Sequence, residues 1–209
     1  IINLLLEEDR LNFMKINRLK IIIFGGDGFC GWPTALRMIA DGNEVLIIDN
    51  LSRRKIDKKL FTNSLTKIYS VNERVQEANK IFGNLKFIKL DIAKEYEKLK
   101  RTFRAFKPDA VVHFAEQRSA PYSMLNDIAR RYTVDNNTAT THNICSCIVE
   151  TNINIHLVHL GTMGVYGYSK DFGKIPEGYL DIKILETNKN TNILYPSNPG
   201  SIYHMSKCL

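Results

Sequence analysis

Ile21 to Phe24 is a short run in which every residue is apolar and most are β-branched, and Val45 to Ile48 is a second. Runs of this kind, apolar at every position instead of alternate ones, suit strands buried on both faces. Along the rest of the chain such runs alternate with amphipathic stretches, the order that yields a parallel sheet covered by helices on both sides. The pattern predicts strands at 20–24, 44–49, 85–90, 109–114 and 155–161, with helices near 32–41, 71–82, 92–106 and 123–150. Ser70 and Glu73 have capping-box spacing at the head of the second helix, and Gly83 with Asn84 supplies its stop. The expected fold class is therefore α/β, a doubly wound parallel sheet. From Tyr168 to Pro199 the pattern breaks into Lys, Asn, Gly and Pro with short alternating pieces such as YLDIKIL, which reads as an excursion carrying a hairpin. No repeat, low-complexity tract or linker divides the chain. The reading is an N-terminal extension at 1–19 and one incomplete domain at 20–209.

The turn after the first strand changes the picture most. Gly25, Gly28 and Gly31 follow Phe24 at three-residue spacing and precede a helix-compatible segment with Pro33 in its first turn. Glycine there permits a tight turn, lets a pyrophosphate approach the main chain and lets strand and helix pack closely, while N–H groups at the helix start face the anion. Asp49, at the end of the next strand, stands where a carboxylate accepts hydrogen bonds from the adenosine ribose hydroxyls. The combination points to a dinucleotide-binding Rossmann fold, in the GxxGxxG variant of the extended short-chain dehydrogenases/reductases.

Composition narrows little further. The chain has 209 residues, 44% hydrophobic and 24% charged, as expected of a globular domain, and no apolar run reaches membrane-spanning length. The formal charge of +7 is spread over scattered Lys and Arg without aromatic interleaving, which favours small anionic ligands over nucleic acid. Cys30, Cys145 and Cys147 have neither zinc nor redox spacing, so reduced thiols and no metal are expected. The first Met stands at position 14 and the chain stops just past Lys207, so a fragment is expected.

Tyr203 and Lys207, four apart on a helix, share one face. The Lys207 ammonium then stabilises the Tyr203 phenolate, making Tyr203 a general base, and reaches a nicotinamide ribose. Thr162, at the end of the fifth strand, offers a hydroxyl to the reacting oxygen, or else merely terminates the strand. The fourth strand exits through an unusually polar stretch in which Arg118 provides a planar fork for an anionic group, with Glu116 and Gln117 lining the same pocket; a plain surface loop is the alternative. His113 reads as a hydrogen-bonded core residue. Asp91 serves the adenine end of the cofactor, caps the next helix, or does both. Asn136 and Asn137, poor helix formers placed mid-helix, suggest a polar role beside the cofactor.

GGDGFCGW, IIDNLSRR, VVHFAEQRSAPYSM, LGTMG and YHMSK, spread over nearly all of residues 20–207, resemble the motifs of the UDP-sulfoquinovose synthase family within the extended short-chain dehydrogenases/reductases. The resemblance implies bound NAD, UDP-glucose and sulfite as substrates, and a route through oxidation at C4, loss of water across C5 and C6, sulfite addition at C6 and hydride return. It implies that Phe29, Cys30, Asp49, Asn50, Leu51, Ser52, Arg53, Asp91, Ile92 and Asn136 hold NAD. Arg118 and Thr162 would contact the sugar, Tyr203 and Lys207 move protons, and His204 assist. Asp49 favours NAD over NADP by repelling a 2′-phosphate, while Arg53 and Arg54 nearby pull the other way. A homodimer and a cytoplasmic location, or a plastid one behind a transit peptide, are further implications. Two departures stand out: Val165 replaces the family's Glu in GTMGEYG, and the C-terminal portion that closes over the nucleotide sugar is absent. Met163 and Gly164 occupy the places of the Asp-Glu pair of 4,6-dehydratases. The alternatives are a UDP-glucose 4-epimerase-like enzyme and a non-catalytic dinucleotide-binding module.

Overall fold

The computed structural model describes residues 18–167, 179–183, 190–194 and 199–208. Two compact units are formed, one by Ile1–Gln117 with Asp135–Leu160 and the other by Arg118–Val134 with Gly161–Leu209.

The first unit is built on a five-stranded parallel sheet. Its strands are β1 (Lys20–Phe24), β2 (Glu44–Asp49), β3 (Leu85–Lys89), β4 (Ala110–His113) and β5 (His156–His159), in the order β3-β2-β1-β4-β5. Strand β1 is central, with Ile23 opposite Ile47 on one side and Val112 on the other. The pleat sends alternate residues to opposite faces. Ile22, Phe24, Leu46 and Ile48 join one core cluster with Leu99, Phe103, Ile144 and Ile148, while Ile21, Ile23, Val45 and Ile47 join another with Ala35, Ile39 and Ala78. This is the doubly wound parallel sheet expected from the unbroken apolar runs.

Helix α1 (Gly31–Ala40) and helix α3 (Val71–Ile81) supply the second cluster, and helix α4 (Tyr96–Phe106) supplies the first. In α4 the buried residues Leu99, Phe103 and Phe106 recur at one-turn spacing, so a single stripe faces the sheet. The capping box at Ser70 forms as anticipated: its Oγ accepts the Glu73 N–H at 3.3 Å and its own N–H donates to Glu73 Oε2 at 2.9 Å.

Several boundaries differ from the sequence expectation. The helix expected from 92 begins only at Tyr96, because Asp91 Oδ1 accepts the Ala93 N–H and Glu95 Oε2 accepts the Asp91 N–H, closing a turn first. Asp91 is therefore not the helix cap; Glu95 takes that position. Helix α2 (Ser52–Lys59) was not expected, since SRRKIDKK has no apolar stripe and none of its residues is buried. The helix expected over 123–150 is two helices, α5 (Ala120–Ser123) and α6 (Asp127–Thr151). The break is made by local caps: Ser119 Oγ accepts the Tyr122 N–H, and Asn126 Oδ1 accepts the Ala129 N–H. Strand β5 is shorter than 155–161 and its side chains are mostly exposed.

The second unit contains α5, the start of α6, a 3-10 turn at Met163–Tyr166, strands β6 (Tyr179–Lys183) and β7 (Asn190–Leu194), and helix α7 (Ile202–Cys208). β6 and β7 pair antiparallel, Tyr179 opposite Leu194 and Lys183 opposite Asn190, which is the hairpin foreseen in the excursion. The remainder of that excursion, and residues 1–17 of the N-terminal extension, lie outside the described residues. Among the described residues no helix is long and apolar enough to cross a membrane.

Phe103 is fully buried and stacks on Phe24 with ring centroids 6.2 Å apart. Phe103→Ala should therefore lower stability by about 3–5 kcal/mol, read as a reduced urea midpoint at unchanged slope; an unchanged midpoint would contradict this core assignment.

Candidate functional site

The carboxyl ends of β1 and β2 carry the first set of residues. Gly25 has φ +75°, a conformation costly for other residues, and a Cβ there would stand 2.6 Å from the Phe114 carbonyl oxygen. A Cβ on Gly31 would lie 2.2 Å from the Gly25 carbonyl oxygen, so the helix start can press onto the turn only as glycine. Helix α1 opens at Cys30 with no side-chain cap and no acidic residue in its first turn. Such an end favours an anion. Phe29 and Cys30 are exposed at the turn's tip.

Asp49 ties this turn to the next strand. Its Oδ2 accepts the Asp27 N–H at 3.0 Å and its Oδ1 accepts the Leu51 N–H at 2.7 Å. Burial pushes the Asp49 carboxyl above its ordinary range, against the two N–H groups and Arg54, which pull it down. Asn50 Oδ1 accepts the Ser52 N–H, and Leu51 takes the left-handed conformation (φ 58°) that starts α2. Arg53 pairs with Asp57 in its own helix at 3.5 Å.

Asp27 itself is a residue the sequence reading passed over. It is 5% exposed and accepts both Arg54 Nε (2.7 Å) and Arg54 Nη2 (2.8 Å), and it also pairs with Arg74. The Arg74 guanidinium lies over the Trp32 ring at 4.3 Å. The bond to Asp27 raises Arg54 above its usual range, whereas burial lowers Arg74. Only the acidic residue inside the glycine turn hinted at this, since its partners lie far along the chain.

Beyond β4, Asn137 pins the exit loop. Its Oδ1 accepts the Gln117 N–H at 2.7 Å and its Nδ2 donates to the Gln117 carbonyl at 3.1 Å, while Asn136 Nδ2 donates to the same Oδ1. Both asparagines are buried, so their mid-helix placement has a structural cause. Ile92 has its side chain in the core and its carbonyl on Asn143 Nδ2 at 2.8 Å. His113 is a buried, hydrogen-bonded core residue as read: Nδ1 accepts the Ala115 N–H and Nε2 faces Thr141 Oγ1 at 3.1 Å. Glu116 Oε1 lies 3.7 Å from His113 Nε2 and 3.9 Å from His159 Nε2. These three side chains offer a spacing that a metal ion could bridge. The N–H donated to His113 Nδ1, however, leaves the ring proton on Nε2, so that atom acts as a donor.

The second unit assembles Thr162 with α7. Thr162 Oγ1 accepts the Gly164 N–H at 3.2 Å and so caps the 3-10 turn. Gly164 lies directly against His204, since a Cβ there would be 2.3 Å from its Cδ2 and Nε2. His204 is buried, and Ser201 Oγ lies 3.1 Å from its Nδ1. The Tyr203 N–H donates to Ser123 Oγ at 3.2 Å, anchoring α7 on α5. Tyr203 and Lys207 follow on successive turns of the same helix, and burial pushes Lys207 down to about 8. Arg118 is exposed.

Comparison with known proteins agrees with this fold. The profile of the NAD dependent epimerase/dehydratase family matches residues 21–208. The chain is 40% identical over 190 residues to the chloroplastic UDP-sulfoquinovose synthase of Spinacia oleracea, covering 91% of the chain and 39% of the relative. It is also 40% identical over 190 residues to the UDP-sulfoquinovose synthase of Sulfolobus acidocaldarius, covering 90% and 47%. The chain thus spans less than half the length of these relatives. In fold it is similar to the UDP-Glc/GlcNAc 4-epimerase of Campylobacter jejuni, with a TM-score of 0.63 at 24% identity over 91% of this chain and 46% of that one.

Gly164→Ala should force the His204 ring aside, shifting its imidazole NMR signals and lowering stability by about 1–3 kcal/mol; unmoved ring signals would contradict the contact. Burial disfavours the Lys207 ammonium, so this lysine should lose its proton near pH 8. Competitive acylation read by mass spectrometry should then show its half-maximal reactivity there, against about 10.4 for an unperturbed lysine.

Proposed function

We propose that this chain, which belongs to the NAD dependent epimerase/dehydratase family, takes part in the NAD-dependent conversion of UDP-glucose and sulfite to UDP-sulfoquinovose. The observation that carries this reading is the 40% identity to two synthases of that name, each over 190 residues.

The residues of the first unit fit a dinucleotide. The bare N-terminus of α1 and the glycine backbone suit the pyrophosphate. Each oxygen of Asp49 already accepts one N–H and keeps a lone pair for a ribose hydroxyl. Phe29, Cys30, Asn50 to Arg53, Asp91 and Asn136 are proposed around it, with Ile92 contributing through position alone because its side chain is in the core. NAD⁺, when bound, supplies the hydride acceptor for C4 of the sugar and the hydride donor on return.

The proton chemistry belongs to the second unit. Tyr203 takes the proton of the C4 hydroxyl, and the Lys207 ammonium one turn away favours the phenolate. Lys207 holds its charge below about pH 8 and loses it above, so this assistance fades as the pH rises through that value. Thr162, whose oxygen accepts from Gly164, has its hydroxyl proton to donate to the reacting oxygen. With 4-keto sugar formed, water leaves across C5 and C6 and sulfite adds at C6. Val165 supplies no acid for the elimination. His204 Nε2 lies against the neighbouring Gly164. Arg118, Glu116 and Gln117 are proposed for the substrate's anionic and hydroxyl groups, and a cytoplasmic homodimer completes the proposal.

The complete gene product, given UDP-glucose, NAD⁺ and sulfite, should yield a sulfonated UDP-hexose by mass spectrometry. Tyr203→Phe should lower kcat by about 10²- to 10⁴-fold. Formation of UDP-galactose, with no dependence on sulfite, would replace this reading by that of a 4-epimerase.

A further inference from the structure

We infer that Asp27, inside the glycine turn, is a specificity-determining residue that holds Arg54 and Arg74 away from the ribose 2′ position and so makes the site select NAD over NADP. The inference rests on Asp49 marking the adenosine ribose, as proposed above.

Two arginines stand close to Asp49 on the residues following it, which by charge alone would invite a 2′-phosphate. The geometry removes that invitation. Arg54 gives Nε and Nη2 to the two oxygens of Asp27 at 2.7 and 2.8 Å, the fork-to-fork arrangement in which guanidinium donors are directionally committed. Arg74 pairs with the same carboxylate and is further held over the face of Trp32. The Asp27 side chain is only 3% exposed, so water does not compete for it. Arg53, the remaining guanidinium of this stretch, lies 3.5 Å from Asp57 in its own helix, and its Nε makes no hydrogen bond. Asp27 and Asp49 thus balance Arg54 and Arg74, and the cluster carries no net charge. A 2′-phosphate would bring up to about two negative charges beside Asp49 and find Arg54 and Arg74 already taken. Asp27 and Asp49 are also joined through the main chain, since the Asp27 N–H donates to Asp49 Oδ2. The residue that neutralises the arginines and the residue that reads the ribose are therefore positioned by one hydrogen bond.

Equilibrium dissociation constants for NAD⁺ and NADP⁺, measured by calorimetry on the chain and its variants, test this without reference to turnover. Asp27→Asn frees Arg54 and should shift the NADP⁺ to NAD⁺ affinity ratio toward NADP⁺ by roughly tenfold or more, the worth of one charge-assisted hydrogen bond. Adding Arg54→Met to that variant should cancel the gain. If Asp27→Asn alone does not fold, as circular dichroism would reveal, the double variant D27N/R74M removes the buried repulsion and should show the same shift. Arg54→Met in the otherwise unaltered chain should leave the ratio as it was, because Arg54 is already occupied. A ratio unchanged in a folded Asp27→Asn variant, or NADP⁺ affinity lost in Arg54→Met, would overturn the inference. Asp49→Ala separates the two levels. If it leaves NAD⁺ affinity intact, the ribose assignment itself fails; if it weakens NAD⁺ and the Asp27 ratio stays fixed, only the present inference fails.

Discussion

The hydrogen bond from the Asp27 N–H to the Asp49 carboxylate is the contact on which the glycine turn of the first unit depends. The four glycines of the turn bring no side chains to hold it, and their backbone is costly to order. The Asp49 clasp fastens that turn to the end of β2, and the approach of Gly31 to Gly25 fastens it to α1. Between these two attachments the backbone can present N–H groups outward instead of collapsing on itself. The strands beneath are fixed in register by clusters on both faces of the sheet, so the end of β2 cannot slide relative to β1. Asp49 bears a cost for this, as burial works against its charge while the two N–H groups favour it.

The second unit solves a different problem, that of holding a seven-residue helix in place. So short a helix is marginal alone. Here α7 is tied by the Tyr203 N–H to Ser123, by His204 to Ser201, and by the packing of His204 under Gly164. The absence of a Cβ at position 164 is thus as much a part of the arrangement as any polar group. No side chain, acidic or otherwise, can occupy that position with His204 where it is.

The sheet was legible because Ile21–Phe24 and Val45–Ile48 are apolar at every residue, a pattern that only burial on both faces explains. The glycine spacing, Asp49 and the Tyr203–Lys207 pair were legible for the same reason: each is a local pattern with a physical requirement behind it. What escaped were features set by competition between nearby alternatives or by distance. SRRKIDKK forms α2 without burying a residue, so no periodicity announces it. Asp91 was open to two readings, and its side chain chose a turn to Ala93, which delays α4 to Tyr96. The break between α5 and α6 rests on Ser119 and Asn126 capping locally within a stretch that otherwise reads as helix. The Asp27 cluster joins positions 27, 54 and 74, and no sequence spacing encodes such a meeting. Asn137 was noticed as an oddity, and only the fold shows it gripping both backbone groups of Gln117.

The account's central claim is that the glycine turn and the Asp49 end of β2 together receive a dinucleotide. Backbone hydrogen exchange of the chain, compared with and without saturating NAD⁺, tests it most directly. Slowed exchange concentrated at residues 25–31 and 49–53 is the predicted result. Binding that leaves those amides unchanged, or protects a different part of the molecule, would contradict the claim.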